Sequence, residues 1–177
     1  MRASPAPVLA AALLVSPLVA EGETPEGSAT LGEIAARIDA VDHLWQTRLP
    51  DAEGAELTTH FSDFGFVWQV RLLGDGADEI ALPGSLEVVF SGIDGDKEPT
   101  ERQIVFDEIA SGKRFVSRDN DTGAVIVDLL DLSGNPGFAE GRISAELCRR
   151  DGVFGTIDPE DCVVIEGRFT SRLPFDE

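Results

Sequence analysis

Apolar and polar residues alternate along most of this chain, and a two-residue period builds strands that bury one face and wet the other. Phe66, Trp68, Val70 and Leu72 share one face of such a stretch, with Val67, Gln69 and Arg71 on the other. Leu86, Val88 and Phe90 alternate in the same way with Glu87, Val89 and Ser91. Further strands are predicted at 103–106, 124–132, 142–148 and 163–173, and the region 107–120 has room for one more short strand. Turn-forming clusters separate them, among them Leu82-Pro83-Gly84, Ser91 to Asp96 and Ser133 to Gly137. Short strands with turns between them and no convincing long helix predict an all-β fold, an antiparallel β-sandwich or partly open barrel.

The segment 30–48 admits two readings. Thr30 and Glu33 have the spacing of a helix capping box, and Leu31, Ile34, Ala35, Ile38 and Val41 would share a helical face. Ile34, Ala36 and Ile38 also alternate with Glu33, Ala35 and Arg37, and Gly32 costs a helix about 1 kcal/mol against Ala. Agreement with the rest of the chain favours strand.

The first twenty residues have the layout of a secretory signal peptide: Arg2, an apolar run from Val8 to Val15, and Ser16 to Ala20 leading to a cut after Ala20. The run is far short of the roughly 20 residues that span a bilayer, and Pro17 interrupts it. No membrane span is therefore expected once the signal is removed. Residues 21–29 read as a flexible lead-in, and 30–177 as a single domain of a size that suits one core. The chain carries 33 acidic and 14 basic side chains, net −19, and losing Arg2 takes the exported form to about −20. That charge repels polyanions, so nucleic acid and anionic lipid are poor partners; an extracytoplasmic protein or glycan is the partner class left open.

Export changes what two cysteines mean, because an oxidising compartment favours a bridge. Side-chain parity supports it. Ile143, Ala145 and Leu147 form one apolar face, leaving Cys148 with Arg142, Ser144 and Glu146; Cys162 falls with Glu166, Arg168 and Arg172, opposite in phase to Val163 and Ile165. Pairing Cys148 with Cys162 also sets Leu147 against Val163 and Ala145 against Ile165, one register that satisfies sulfurs and core together. The bridge would close the segment 149–161 at its base. A redox-active pair would more usually be C-x-x-C, and zinc needs further ligands than the distant His43 and His60 offer.

The same two strands read Glu140-Gly141-Arg142-Ile143-Ser144-Ala145-Glu146-Leu147 and Glu166-Gly167-Arg168-Phe169-Thr170-Ser171-Arg172-Leu173, with a looser echo from Gly32 to Asp39 followed by Trp45. This layout resembles small exported bacterial β-sandwich proteins of uncharacterised function, whose first strand ends in an I-D-G turn before a Trp. Ala40 stands here where that pattern has Gly. The resemblance touches the two ends of the domain and implies a fold and no activity. Alternating strands with a Gly at a close approach also converge on such strings, so duplication is the weaker explanation.

Two Asp-rich turns, with Asp94 and Asp96 in the first and Asp119 and Asp121 in the second, offer carboxylates at alternate positions, a pattern that calcium uses. Neither completes an EF-hand, and Asp, Asn and Gly also make ordinary turns. No nucleophile motif accompanies His43 or His60, and Ser62 and Asp63 beside His60 would point to opposite faces of a strand. No catalytic residue is assigned. Trp45, after Asp42-His43, is the better surface candidate for stacking on a sugar; Trp68 belongs with the core, and burial is the commoner fate of both. The function expected is that of an exported, non-catalytic binding or structural accessory protein, periplasmic or secreted. The alternatives are a carboxylate-dependent hydrolase and a calcium-stabilised carbohydrate-binding module.

Overall fold

The computed structural model describes residues 29–49, 58–76, 84–94, 98–118, 124–152 and 155–176. The predicted signal peptide and all but Ala29 of the predicted lead-in lie outside the described residues. Ten strands follow in order: β1 Thr30–Ile38, β2 Val41–Arg48, β3 His60–Asp63, β4 Val67–Gly76, β5 Ser85–Ile93, β6 Glu101–Glu108, β7 Lys113–Ser117, β8 Val125–Asp131, β9 Gly137–Arg150 and β10 Ile157–Leu173. The segment 30–48 is two strands, joined by the tight turn Asp39-Ala40. Its buried residues are Ile34, Ala36, Ile38, Trp45 and Thr47, the alternating set.

Every strand pairing is antiparallel, and the order β10-β1-β2-β4-β5-β6-β7-β9 closes on itself through β9 and β10. Two of the seams in this ring are short. Among the described residues, β2 meets β4 only through Trp45–Thr47 against Gly74–Gly76, and β7 meets β9 only through Phe115–Ser117 against Leu147–Arg149. Beyond each seam another strand takes over the edge, β3 on β4 and β8 on β9. The two short seams make the molecule a barrel with sandwich-like halves, which is why the alternation alone left both descriptions open.

Aromatic rings from opposite walls fill the interior. Phe90 of β5 meets Phe169 of β10 at 5.8 Å between ring centres, and Trp45 of β2 meets Phe106 of β6 at 6.3 Å. Ile34, Leu72, Leu86, Ile104, Ile143, Leu147 and Ile165 pack around them without exposure. The indole N–H groups are satisfied inside the protein: Trp45 donates to the Gly84 carbonyl at 2.9 Å and Trp68 to that of Ile93 at 3.2 Å. Glycine makes room where a ring comes close to a neighbouring strand. A Cβ on Gly141 would come within 2.6 Å of the Phe169 ring, so the glycine of the Glu-Gly-Arg string is a close approach.

Phe66 departs from the alternation. It is 73% exposed, because β4 begins one residue later and Phe66 belongs to the turn Phe64-Gly65-Phe66, with Gly65 at φ 88°. A period-2 pattern cannot mark the residue at which a strand begins turning, and Phe66 keeps the phase of the strand with its carbonyl still accepting from the Asp94 N–H at 3.0 Å while its side chain stands in solvent.

The bridge Cys148–Cys162 is present, and the rungs around it pair Leu147 with Val163 and Ala145 with Ile165. The hairpin runs past the bridge: β10 bulges between Asp158 and Cys162, and pairing resumes at Asp158–Arg149 and Ile157–Arg150. Both cysteines have the outward phase, yet Cys148 is fully buried. Its rung continues through Val116 and Val105, 1% and 3% exposed, so the bridge lies in a small apolar strip on the outer wall.

Candidate functional site

Cations are scarce in this chain, and the fold gathers four of its 14 at one mouth of the barrel. The β6–β7 turn ends in Lys113-Arg114, and β9 ends in Arg149-Arg150. The register Phe115–Arg149 brings the two dibasic pairs together around a recess of about 380 Å³, floored and flanked by Gly112, Asp151 and Gly152.

Carboxylates hold three of the four. The β10 bulge re-aims its side chains as bulges do: Asp161 accepts from Lys113 at 3.0 Å and lies 3.1 Å from Arg149, whose other nitrogen reaches Asp158 at 2.9 Å. Arg114 pairs with Asp107 at 3.2 Å. Arg150 has no carboxylate partner among the described residues. Its Nε is buried and donates to nothing, and the Nε of Arg149 lies 3.4 Å from Asp151 without the alignment of a hydrogen bond. A buried donor left unmade costs about 1–3 kcal/mol, and more when it belongs to a charged group.

The Glu146 carboxylate and the sulfurs of Cys148 and Cys162 lie within 4.8 Å of one another. The sulfurs are bonded to each other and Glu146 is paired with Arg118 at 2.6 Å, so the group is an ion pair beside a structural bridge.

A second groove, about 480 Å³, crosses the outer wall over Ala35, Gly167 and Arg168. Arg168 stands directly opposite Arg142, a like-charge pair that a sheet tolerates poorly. Asp128 relieves it by taking Arg142 in a two-pronged contact at 2.9 and 3.0 Å, and that hydrogen bond holds the Asp128 carboxyl below its ordinary value. Asp131 is likewise held low by bonds from Ser133. Both carboxylates stay ionised and are unsuited to donate a proton. His43, at the rim of this groove, is pushed below the usual 6.5 by burial, against the pull of Asp42, and is neutral at pH 7.

The sequence candidates are scattered. Trp45 is fully buried with its rings against His43 and Phe106, so it offers no stacking surface. Asp94 is exposed after β5, while Asp96, Asp119 and Asp121 lie outside the described residues. His60 and Ser62 share the outer face of β3, each nearly buried, with His60 Nε2 at 3.6 Å from Asp176. Asp63 caps the following turn through Gly65. The mouth recess was missed by motif reading, although a signal existed: Lys113-Arg114 and Arg149-Arg150 are the two places where basic residues adjoin in this acidic chain. No family model, curated protein or solved structure matches the chain.

Proposed function

We propose that this chain is an exported, non-catalytic binding or structural accessory protein, acting in the periplasm or beyond through the outside of its barrel. The observation that carries the reading is the filled interior. Phe90 against Phe169 and Trp45 against Phe106 occupy the space in which barrels of this size hold a ligand, so the walls serve as scaffold. Recognition then falls to the mouths and outer grooves, where scaffolded loops and strand ends present charged groups. The disulfide suits an oxidising, extracytoplasmic setting, and the signal-like first twenty residues agree with it. The likeness of the end strands to small exported β-sandwich proteins points the same way.

The test is to express the full chain, fractionate the cells, and assay the exported form. The expected protein is recovered outside the cytoplasm with Cys148 and Cys162 oxidised and shortened by about twenty residues, as signal removal requires. It retains a ligand seen by native mass spectrometry and turns over no ester, glycoside or phosphate substrate. Retention in the cytoplasm with free thiols, or turnover that disappears when one carboxylate is replaced, overturns the reading.

A further inference from the structure

We propose that the recess between Lys113-Arg114 and Arg149-Arg150 is an oxyanion site that takes a single phosphate or sulfate group, with Arg150 as its free donor. The inference rests on the binding reading above and names a ligand class for one mouth of the barrel. Two observations support it independently. The first is the concentration of charge: four of 14 cations line one recess in a chain of net −19. The second is that pairing inside the protein stops one residue short. Lys113, Arg114 and Arg149 are held by Asp161, Asp107 and Asp158, whereas Arg150 is given no carboxylate among the described residues; the Nε–H of Arg149 and that of Arg150 are both buried without an acceptor there.

Such an arrangement suits an incoming oxyanion. The three paired cations fix the frame around the recess, and the unpaired guanidinium keeps its donors in a planar fork that matches the oxygens of phosphate or sulfate. Access is open, since Gly112 and Gly152 flank the recess at φ 67° and 75° and a Cβ on either would meet nothing within 4 Å. Asp107, Asp151, Asp158 and Asp161 surround the cations and set a limit. They balance the four cations one for one, so binding of a single small anion rests on the unpaired Arg150 guanidinium and not on net charge, and an extended polyanion is repelled.

The experiment uses the full-length exported protein, titrated with inorganic phosphate, inorganic sulfate and acetate against sodium chloride of matched ionic strength, read by calorimetry and thermal melting. Phosphate or sulfate is expected to bind one-to-one and raise the melting temperature where chloride does not. Arg150→Gln should weaken that binding about tenfold or more, the scale of a lost charge-assisted hydrogen bond. Arg150→Lys should recover part of it, and Arg168→Gln, on the other wall, should leave it unchanged. Without anion, Arg150→Gln should melt no lower than the parent, because its guanidinium is left unbonded there. Equal binding by Arg150→Gln, an equal response to chloride, acetate binding as tightly as phosphate, or a lower melting point for unliganded Arg150→Gln each overturns the site. Loss of phosphate and sulfate binding alone leaves the broader reading standing, provided the exported protein still retains its ligand and shows no turnover.

Discussion

Ala40 occupies the β1–β2 turn at φ 72°, next to Asp39 at φ 47°. Two residues with positive φ make the turn whose twist matches its flanking strands, and Asn-Gly or Asp-Gly is the usual pair. Asp39 meets the requirement and is tied down: its N–H donates to the Val164 carbonyl at 3.1 Å and its carboxylate accepts from the Val164 N–H at 3.0 Å. Ala40 adopts a conformation that costs an L-residue about 1–2 kcal/mol. Ala40→Gly should therefore raise stability by about 1 kcal/mol in urea unfolding, less what glycine's extra freedom in the unfolded chain takes back. A lower midpoint would mean that the Ala40 methyl makes contacts worth more than the strain. His43 supplies a pH-dependent counterpart. Its pKa in the folded protein lies below the unfolded 6.5, because burial opposes the charged ring more than Asp42 favours it. The unfolded chain binds the proton first, so stability is lost as pH falls from about 6.5 towards the lower folded value. Melting temperatures from pH 7.5 to 5 should fall less steeply in His43→Gln than in the parent; parallel curves would remove His43 from the pH response.

At the scale of the element, the β9–β10 hairpin shows what parity can and cannot reveal. The rungs from Ala145–Ile165 to Cys148–Cys162 follow from two constraints that agree, apolar residues inward and sulfurs opposite. The bulge from Asp158 to Cys162 does not, because its three inserted residues shift phase without leaving a hydrophobic mark, and Pro159-Glu160-Asp161 also read as loop. The bulge aims Asp161 at Lys113 and Arg149, so the part of the hairpin that builds the recess is the part that alternation hides. Cys148→Ala with Cys162→Ala should lower stability by about 3 kcal/mol on the chain-entropy account. Melting with and without reductant checks it, and an unchanged midpoint would mean that the bulged hairpin holds its register unaided. Gly141→Ala tests the neighbouring close approach. A Cβ there would meet the Ile126 carbonyl oxygen of β8 as well as the Phe169 ring 2.6 Å away, which is held against Phe90, so overpacking should cost about 1–3 kcal/mol.

Across the whole molecule, most of the strands were legible because each is a local pattern; the four-residue β3 is too short to show one, and the closure was not legible either. Among the described residues the seams β2–β4 and β7–β9 are three residues long each, and they join segments whose pairing no local rule selects. The second seam also brings Lys113-Arg114 to Arg149-Arg150, so the recess became visible only with the topology. Charge balance raises a question that belongs to this scale. Ion pairs such as Arg71–Glu87 and Arg149–Asp158 favour low salt, since screening weakens them. Each exposed pair is worth only about 0–1 kcal/mol, however, and 14 cations can neutralise at most 14 of the 33 acids. The remaining carboxylates repel one another across the surface, and folding brings them closer than the unfolded chain holds them. Raising sodium chloride from about 0.01 M to about 0.15 M shortens the screening length from about 30 Å to about 8 Å, enough to quench repulsion between distant carboxylates while close, partly buried pairs persist. The melting temperature should therefore rise over that range at pH 7 and flatten above it. A fall would show that the ion pairs, with the network around Arg149 foremost, outweigh the excess negative charge.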